Sequence, residues 1–195
     1  MDRSYTVQVL LFPGVEELDA VGPWEVLRFW SRLTERDVRV STVSLDGEPV
    51  VCGMGLRVTP DGALGDGPPP NLFLHPGGPG TRPLQNDADH LETLRNIARA
   101  GALMASVCTG ATVYAAAGLL DGHEATSHWR VLDDLRQSNP QVTVRDGVRW
   151  VDDGSVVTSA GVAAGIDMAL HLVHRLESQK CAGEVARMME YPWAP

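Results

Sequence analysis

The residue in this sequence that most strongly suggests chemistry is Cys108, which lies between Ser106 and Gly110 in the segment S-V-C-T-G. The apolar run of residues 102–107 predicts a buried strand, and the alanine-rich run of residues 109–117 predicts a helix. Small neighbours allow the sharp strand-to-helix turn that presents a nucleophile, and the positive end of the helix dipole favours a thiolate. The pattern predicts a nucleophilic cysteine, with a buried structural cysteine as the alternative.

A glycine loop, P-G-G-P-G at residues 76–80, directly follows a predicted strand at residues 71–75. Consecutive backbone N–H groups in such a loop can hold an anion or an oxyanion. We therefore expect the amides of Gly77 and Gly78, together with that of Thr109, to stabilise developing charge. A plain turn is the alternative for the loop, and for the Thr109 hydroxyl a helix cap is the alternative to a place in the pocket.

Asp19 is the candidate proton donor and acceptor, because it lies between Leu18 and Ala20 in an apolar context. Burial near a thiolate would raise the pKa of its carboxyl and suit it to general acid catalysis. The neighbouring Glu16 and Glu17 are expected on the solvated surface. A cysteine peptidase would want a histidine close to its nucleophile.

The histidines offer weaker candidates. His128, at the end of its own predicted strand, is the best available base, whereas His75 either reaches the glycine loop or packs. His90 and His123 are expected to be exposed. The pair His171 and His174 has metal-ligand spacing but lacks a third ligand, so a structural role is expected. No activating context is evident for Cys52 or Cys181.

Strand patterns alternate with helix patterns along the chain, which predicts an α/β fold with a largely parallel sheet covered on both faces. Residues 15–22 are predicted as a loop, and a helix is predicted from Pro23 to about Leu33 because proline suits the first helical turn. Ligands gather at the carboxyl ends of parallel strands. The acidic loop, the glycine loop and Cys108 each follow a predicted strand, so we expect them to converge.

Composition limits the class of protein. The 195 residues are enough for one compact domain, 1–195, and the net charge of -9 disfavours a nucleic-acid or anionic membrane surface. No signal peptide or membrane span is predicted. Three cysteines without CxxC spacing suggest neither disulfides nor zinc, so a reducing cytoplasm is expected.

Six segments of the chain form a recognisable set: residues 11–27 (LFPGVEELDAVGPWEVL), 76–80 (PGGPG), 106–110 (SVCTG), 115–120 (AAAGLL), 125–129 (ATSHW) and 161–167 (GVAAGID). Together they resemble the ThiJ/PfpI superfamily, and within it most resemble isonitrile (isocyanide) hydratases. Ligand-sensing domains of AraC-type regulators carry much the same segments. The pattern departs from the family at His75, where an aliphatic residue is common, and at Pro79.

The resemblance implies a flavodoxin-like three-layer sandwich, a homodimer, a small-molecule substrate and no metal or organic cofactor. It implies Cys108 as nucleophile, Asp19 as acid and base, and Thr109 beside them. Gly77, Gly78 and the backbone of Val162 would line the substrate site. The implied reaction hydrates R–N≡C to R–NH–CHO through a thioimidate. The alternatives are a sensing domain without catalysis, a thiol-based glyoxalase or deglycase, and, last, a peptidase.

Overall fold

The computed structural model describes residues 4–193, so the first three and last two residues of the predicted domain lie outside the description. The strands are β1 (Tyr5–Leu11), β2 (Val38–Ser44), β3 (Val50–Val51), β4 (Arg57–Val58), β5 (Gly62–Ala63), β6 (Leu72–His75), β7 (Leu103–Val107), β8 (Glu124–Ala125), β9 (Thr143–Val144), β10 (Trp150–Asp152) and β11 (Val156–Ser159). The α-helices are α1 (Glu17–Leu33), α2 (Thr81–Leu84), α3 (Ala88–Arg99), α4 (Gly110–Ala116), α5 (Leu132–Ser138), α6 (Ala164–Leu176) and α7 (Gln179–Met188).

The central sheet has seven strands in the order β10-β11-β7-β6-β1-β2-β5. Every neighbouring pair in it is parallel except β10 with β11. The predicted α/β fold with a mostly parallel sheet is thus confirmed. Because β7, β6 and β1 are adjacent and parallel, the segments that follow them leave the sheet at one edge.

The middle strands are buried on both faces, as parallel strands covered by helices must be. Helices α1, α6 and α7 pack on one another, and α4 packs with α2 and α3. These two groups and the sheet form the three layers of the predicted sandwich. The described residues share one hydrophobic core, whose largest buried side chains include Trp30, Tyr114, Phe12 and Phe73.

The start of α1 corrects the sequence interpretation. The helix begins at Glu17 rather than at Pro23, so Asp19 lies in its first turn and not in a loop. Pro23 sits inside the helix, where its missing N–H leaves the Asp19 carbonyl without the usual donor. Pro23 and Gly22 face α6, since a Cβ at Gly22 would lie 2.9 Å from the Ile166 side chain.

The region after α4 is less regular than predicted. The expected strand at residues 123–128 is only the two-residue β8, which pairs with β9 outside the main sheet. The predicted helix at 129–136 is a 3-10 turn, Trp129–Val131, followed by α5. This irregular segment carries His128 past the carboxyl end of the sheet.

Candidate active site

Cys108 occupies a sharp turn between β7 and α4. Its backbone φ is 55°, a left-handed conformation that is uncommon for a residue with a side chain. Two serines hold it there: its N–H donates to the Ser159 carbonyl at 3.1 Å, and the Ser127 hydroxyl donates to its carbonyl at 2.7 Å. The side chain is 7% exposed. This elbow is the sharp strand-to-helix turn that the sequence predicted, and the surrounding structure maintains its strained backbone.

Asp19 is fully buried beside this turn. Its Oδ2 accepts a hydrogen bond from the Gly77 N–H at 3.0 Å. Its Oδ1 has no nitrogen or oxygen partner among residues 4–193. The carboxyl interacts with the Cys108 thiol and can therefore exchange a proton with the sulfur.

Burial shifts both members of this pair toward their neutral forms. Desolvation, opposed by the Gly77 hydrogen bond and assisted by the Glu16 charge, raises the pKa of Asp19 to about 7. Desolvation and the Asp19 charge raise the pKa of the Cys108 thiol to about 12, although the Thr109 amide acts in the opposite direction. The helix dipole, which was expected to favour a thiolate, therefore does not lower the pKa of this thiol below its ordinary value, because desolvation and the Asp19 charge outweigh it.

The glycine loop packs directly against the pair. A Cβ at Gly77 would lie 2.6 Å from the Thr109 nitrogen, 2.7 Å from the Cys108 Cβ and 2.8 Å from Asp19 Oδ2. Gly78 has a φ of 120°, which a side chain would disfavour. The two amides do not play the expected oxyanion role, because Gly77 donates to Asp19 and Gly78 donates to the Thr109 hydroxyl at 2.9 Å. Of the three predicted amides, that of Thr109 faces the sulfur.

Thr109 joins the glycine loop to the elbow. Its hydroxyl accepts hydrogen bonds from the Gly78 N–H and, at 3.1 Å, from the Thr81 hydroxyl. The side chain does not cap α4. Of the two roles considered for it, the structure places the hydroxyl at the site rather than at the helix end.

A cavity of about 650 Å³ opens at the carboxyl edge of the sheet and reaches Cys108. Gly78, Thr109 and Val162, three of the predicted site residues, also line it, whereas Asp19 and Gly77 are not part of its wall. Glu16, which was expected on the solvated surface, is half-buried and lines the cavity. Three further charged side chains at the wall were not singled out in the sequence: Arg82, Arg130 and Asp134.

Gly161 is a further site residue that sequence reasoning missed, although it lies in the quoted segment at 161–167. A Cβ there would lie 2.5 Å from His128 Cδ2 and 3.1 Å from Cys108 Sγ. His128 lines the cavity, and its Nδ1 accepts from the Arg130 N–H at 3.3 Å. The absence of a side chain at 161 thus leaves room for both the sulfur and the imidazole.

Two predictions of solvent exposure, one for an acidic residue and one for a histidine, need correction. Glu17 is not on the solvated surface: its Oε1 accepts from the N–H groups of Met54 and Leu56, and its Oε2 is buried. His90 is not exposed but 95% buried, with its Nε2 3.2 Å from His75 Nε2. His90 shares a helix face with Leu94 and Ile97, and this spacing was the available signal.

The remaining histidines lie away from the cavity. His171 Nε2 is 2.6 Å from Asp152 Oδ2, and its ring stacks on Trp150. His123 pairs with Asp153. Within residues 4–193, no cluster of three or more His, Cys, Asp or Glu side chains is placed to hold a metal ion. In the same range, no helix combines the length and apolar character needed to cross a membrane.

Relatives found by comparison with known proteins include a hydratase, a transcriptional regulator and a glyoxalase. The chain is 39% identical to the isonitrile hydratase of Pseudomonas putida over 186 residues, 95% of this chain and 78% of the relative. It is 33% identical to the HTH-type transcriptional regulator GbdR of Pseudomonas aeruginosa over 95% of this chain, spanning only 50% of the regulator. It is 31% identical to the glutathione-independent glyoxalase DJR-1.2 of Caenorhabditis elegans over 91% of each chain.

A solved ThiJ/PfpI family protein from Pseudomonas syringae superposes with a TM-score of 0.87 at 30% identity, covering 99% of this chain and 77% of that one. The family model described as DJ-1/PfpI matches residues 5–175, which include the elbow, the glycine loop and Asp19. This protein therefore belongs to the DJ-1/PfpI family.

Proposed function

We propose that this protein is an isonitrile hydratase that converts R–N≡C and water into the formamide R–NH–CHO. The observation that carries the proposal is the buried Cys108–Asp19 pair, in which a carboxyl of nearly neutral pKa faces the sulfur. Such a group exchanges protons efficiently near neutral pH. The identity to the Pseudomonas putida isonitrile hydratase supports the same assignment.

The first step forms a thioimidate. The Cys108 thiol proton passes to the Asp19 carboxylate as sulfur attacks the terminal carbon of the isonitrile. Asp19 then delivers this proton to the same carbon, so an S–C and a C–H bond form and the triple bond becomes C=N. Because the thiol pKa is raised, a base beside the sulfur is required, and Asp19 supplies it.

The second step hydrolyses the thioimidate. Asp19, again a carboxylate, removes a proton from water as the water oxygen attacks the thioimidate carbon, and the proton moves on to nitrogen. Collapse of the tetrahedral intermediate breaks the C–S bond, releases R–NH–CHO and returns the hydroxyl proton to sulfur. The Thr109 amide, which faces the sulfur, favours the departing thiolate.

Peptidase chemistry has less support. The groups that perturb the Cys108 thiol are Asp19 and Thr109, and no histidine is among them. His128 lines the cavity, but its Nδ1 is occupied by the Arg130 N–H. Among the described residues, no imidazole is hydrogen-bonded to the Cys108 thiol as acyl transfer by a cysteine–histidine pair would require.

The proposal includes the setting of the reaction. We expect a small-molecule substrate in the cavity beside Cys108, no cofactor, no nucleic-acid or membrane partner, and a homodimer acting in the cytoplasm. Sedimentation would check the assembly, since a dimer has twice the chain mass of 21.0 kDa. A monomer or a larger assembly would contradict the dimer without affecting the chemistry.

Turnover of p-nitrophenyl isocyanide to the formamide tests the function. We expect Cys108→Ala and Asp19→Asn to reduce turnover at least 1,000-fold, in the range typical for loss of a nucleophile or its proton partner. Cys181→Ala, at a buried cysteine on α7, is the matched control and should leave turnover unchanged.

The alternatives give distinct results in the same series. A folded wild-type protein without turnover would exclude this substrate and favour the sensing domain. Consumption of methylglyoxal that depends on Cys108 would favour the glyoxalase class instead. Turnover that survives Asp19→Asn would contradict the proposed proton transfers.

A further inference from the structure

His75 and His90 form a buried histidine pair behind the glycine loop. His75, the last residue of β6, is fully buried, and His90 on α3 is nearly so. Their Nε2 atoms are 3.2 Å apart, and the Nδ1 of His75 is 2.8 Å from the Pro76 carbonyl oxygen. Phe12 and Tyr114 pack against the His75 ring.

The partners fix where each proton lies. The Pro76 carbonyl can only accept, so His75 Nδ1 donates to it. Burial and the neighbouring His90 lower the pKa of His75 to about 3, so the ring is neutral and its Nε2 is an acceptor. His90 must therefore donate through Nε2. The Nδ1 of His90 is buried without a partner among the described residues. In this tautomer it carries no proton, so the unpaired group is an acceptor and not a buried N–H donor.

The Pro76–Gly77 peptide group connects this pair to the candidate active site. Its carbonyl accepts from His75, and its N–H donates to Asp19 Oδ2. Donors and acceptors thus follow in one direction, from His90 through His75 and one peptide group to the carboxylate. Each hydrogen bond in such a chain polarises the next and makes the final N–H a stronger donor.

We infer that His75 is a positioning residue for Asp19: it holds and polarises the Pro76–Gly77 peptide group, whose N–H stabilises the carboxylate form of Asp19. The inference goes beyond the proposed function, and rests on it only in taking Asp19 as the acid and base. His75 is also the position where this chain departs from the aliphatic residue expected by resemblance.

Few other titratable groups lie near this chain of hydrogen bonds. Glu16 and Cys108 act on Asp19 in opposite directions: the Glu16 charge disfavours its ionised form, whereas the hydrogen bond with the Cys108 thiol favours it. On the histidine side, Asp87 caps α3 through the His90 N–H and acts on the His90 ring, and the Tyr114 hydroxyl donates to the Ala105 carbonyl. None of these groups contacts the Pro76 carbonyl, so the donor from His75 can be changed separately.

The test compares His75→Leu with His75→Asn in the full chain. Leucine fills the space but has no hydrogen-bond donor for the Pro76 carbonyl. In asparagine the side-chain NH₂ stands near the position of His75 Nδ1 and can still donate to that carbonyl. Asp19 is titrated by NMR in protein carrying carbon-13 aspartate side-chain carboxyls, with its resonance identified by its loss in Asp19→Asn. Tyr114→Phe, which keeps the ring against His75 and removes only the hydroxyl bonded to the Ala105 carbonyl, is the structural control.

We expect His75→Leu to shift the Asp19 titration upward by roughly 0.5 to 1 pH unit, the size expected for weakening one hydrogen bond to a carboxylate. His75→Asn should restore most of the shift, and Tyr114→Phe should cause none. An unmoved titration in His75→Leu, or equal shifts in all three variants, would overturn the inference. The titration needs no isonitrile, so it can be interpreted even if the protein does not hydrate isonitriles.

Discussion

The Gly77 amide lies 3.0 Å from Asp19 Oδ2, and at Gly77 a Cβ would stand only 2.8 Å from that same oxygen. The missing side chain therefore does two things at once. It lets the backbone donate to the carboxylate, and it leaves the carboxylate space to approach Cys108. Together with the elbow at Cys108, this contact brings a residue of α1 to the ends of β6 and β7.

Gly77→Ala tests this close approach. Because the new methyl would press on Asp19, Cys108 and the Thr109 nitrogen together, the pair must separate. Displacement of reacting groups by about 1 Å costs on the order of 100-fold in rate, so we expect at least that loss in isonitrile hydration. Overpacking should also lower the free energy of unfolding by about 1–3 kcal/mol, measured in urea.

Gly183→Ala provides the matched control, since within the described chain nothing lies within 4 Å of a Cβ at this position on α7. Replacing glycine in a helix by alanine should raise the free energy of unfolding by about 0.5–1 kcal/mol and leave turnover unchanged. Full activity in Gly77→Ala would show that the pair does not require this geometry.

The raised pKa of Asp19 predicts how stability changes with pH. The carboxyl keeps its proton to about pH 7 in the folded protein, whereas in the unfolded chain it loses the proton near its ordinary value of about 3.9. Between these values the folded state binds the extra proton, so stability falls as pH rises from about 4 to 7 and then levels off. Asparagine cannot ionise, so Asp19→Asn should remove this decline.

We therefore expect Asp19→Asn to be more stable than the wild type at pH 8, by on the order of 2–4 kcal/mol, and to differ little near pH 4. Urea unfolding at the two pH values measures the difference. Asp66→Asn, at an exposed loop position, should leave the pH dependence as it is in the wild type. Equal stability of Asp19→Asn and wild type at pH 8 would argue that Asp19 ionises without cost.

Much of the fold and the meeting of the site segments could be predicted from the sequence. Apolar runs ending in glycine loops predict parallel strands, and parallel strands bring the residues after them to one edge. That rule alone places Cys108 beside Gly77. It succeeds because it depends on the direction of strands and not on the detail of any side chain.

The details that could not be predicted depend on packing between distant segments. Pro23 suggested a helix start, but α1 continues through it where Gly22 fits against Ile166 of α6. The Gly77 and Gly78 amides suggested an oxyanion site, but side chains far along the chain already accept from them. Local patterns show which groups are available and not which partners they find.

Thr109→Val should loosen the glycine loop from the elbow. Valine matches threonine in shape but cannot accept from the Gly78 N–H, and leaving such a donor unpaired costs about 1–3 kcal/mol when it is buried. The Thr81 hydroxyl keeps the Gly78 carbonyl as its acceptor, at 2.8 Å. We expect kcat for isonitrile hydration to fall roughly 10- to 100-fold. Thr109→Ser, which keeps the acceptor, should stay within a few-fold of the wild type.

Thr93→Val is the control, because this half-buried threonine on α3 bonds to the Asp89 carbonyl of its own helix and to no other described residue through its hydroxyl. Steady-state kinetics would separate kcat from KM in all three variants. Equal loss in Thr109→Ser and Thr109→Val would indicate that the methyl group or its packing matters rather than the hydroxyl.

Gly161→Ala should narrow the space over the reactive sulfur. The added Cβ would stand 3.1 Å from Cys108 Sγ and 2.5 Å from His128 Cδ2, so the imidazole must move and access to the thiol must shrink. We expect alkylation of Cys108 by iodoacetamide, followed by peptide mass spectrometry, to slow at least tenfold, in line with the effect of small displacements at a reacting centre.

Alkylation of Cys52 in the same sample should keep its rate. Gly62→Ala, where a Cβ meets nothing within 4 Å in the described chain, controls for the substitution itself. An unchanged Cys108 rate in Gly161→Ala would mean that reagents reach the sulfur from another side of the cavity.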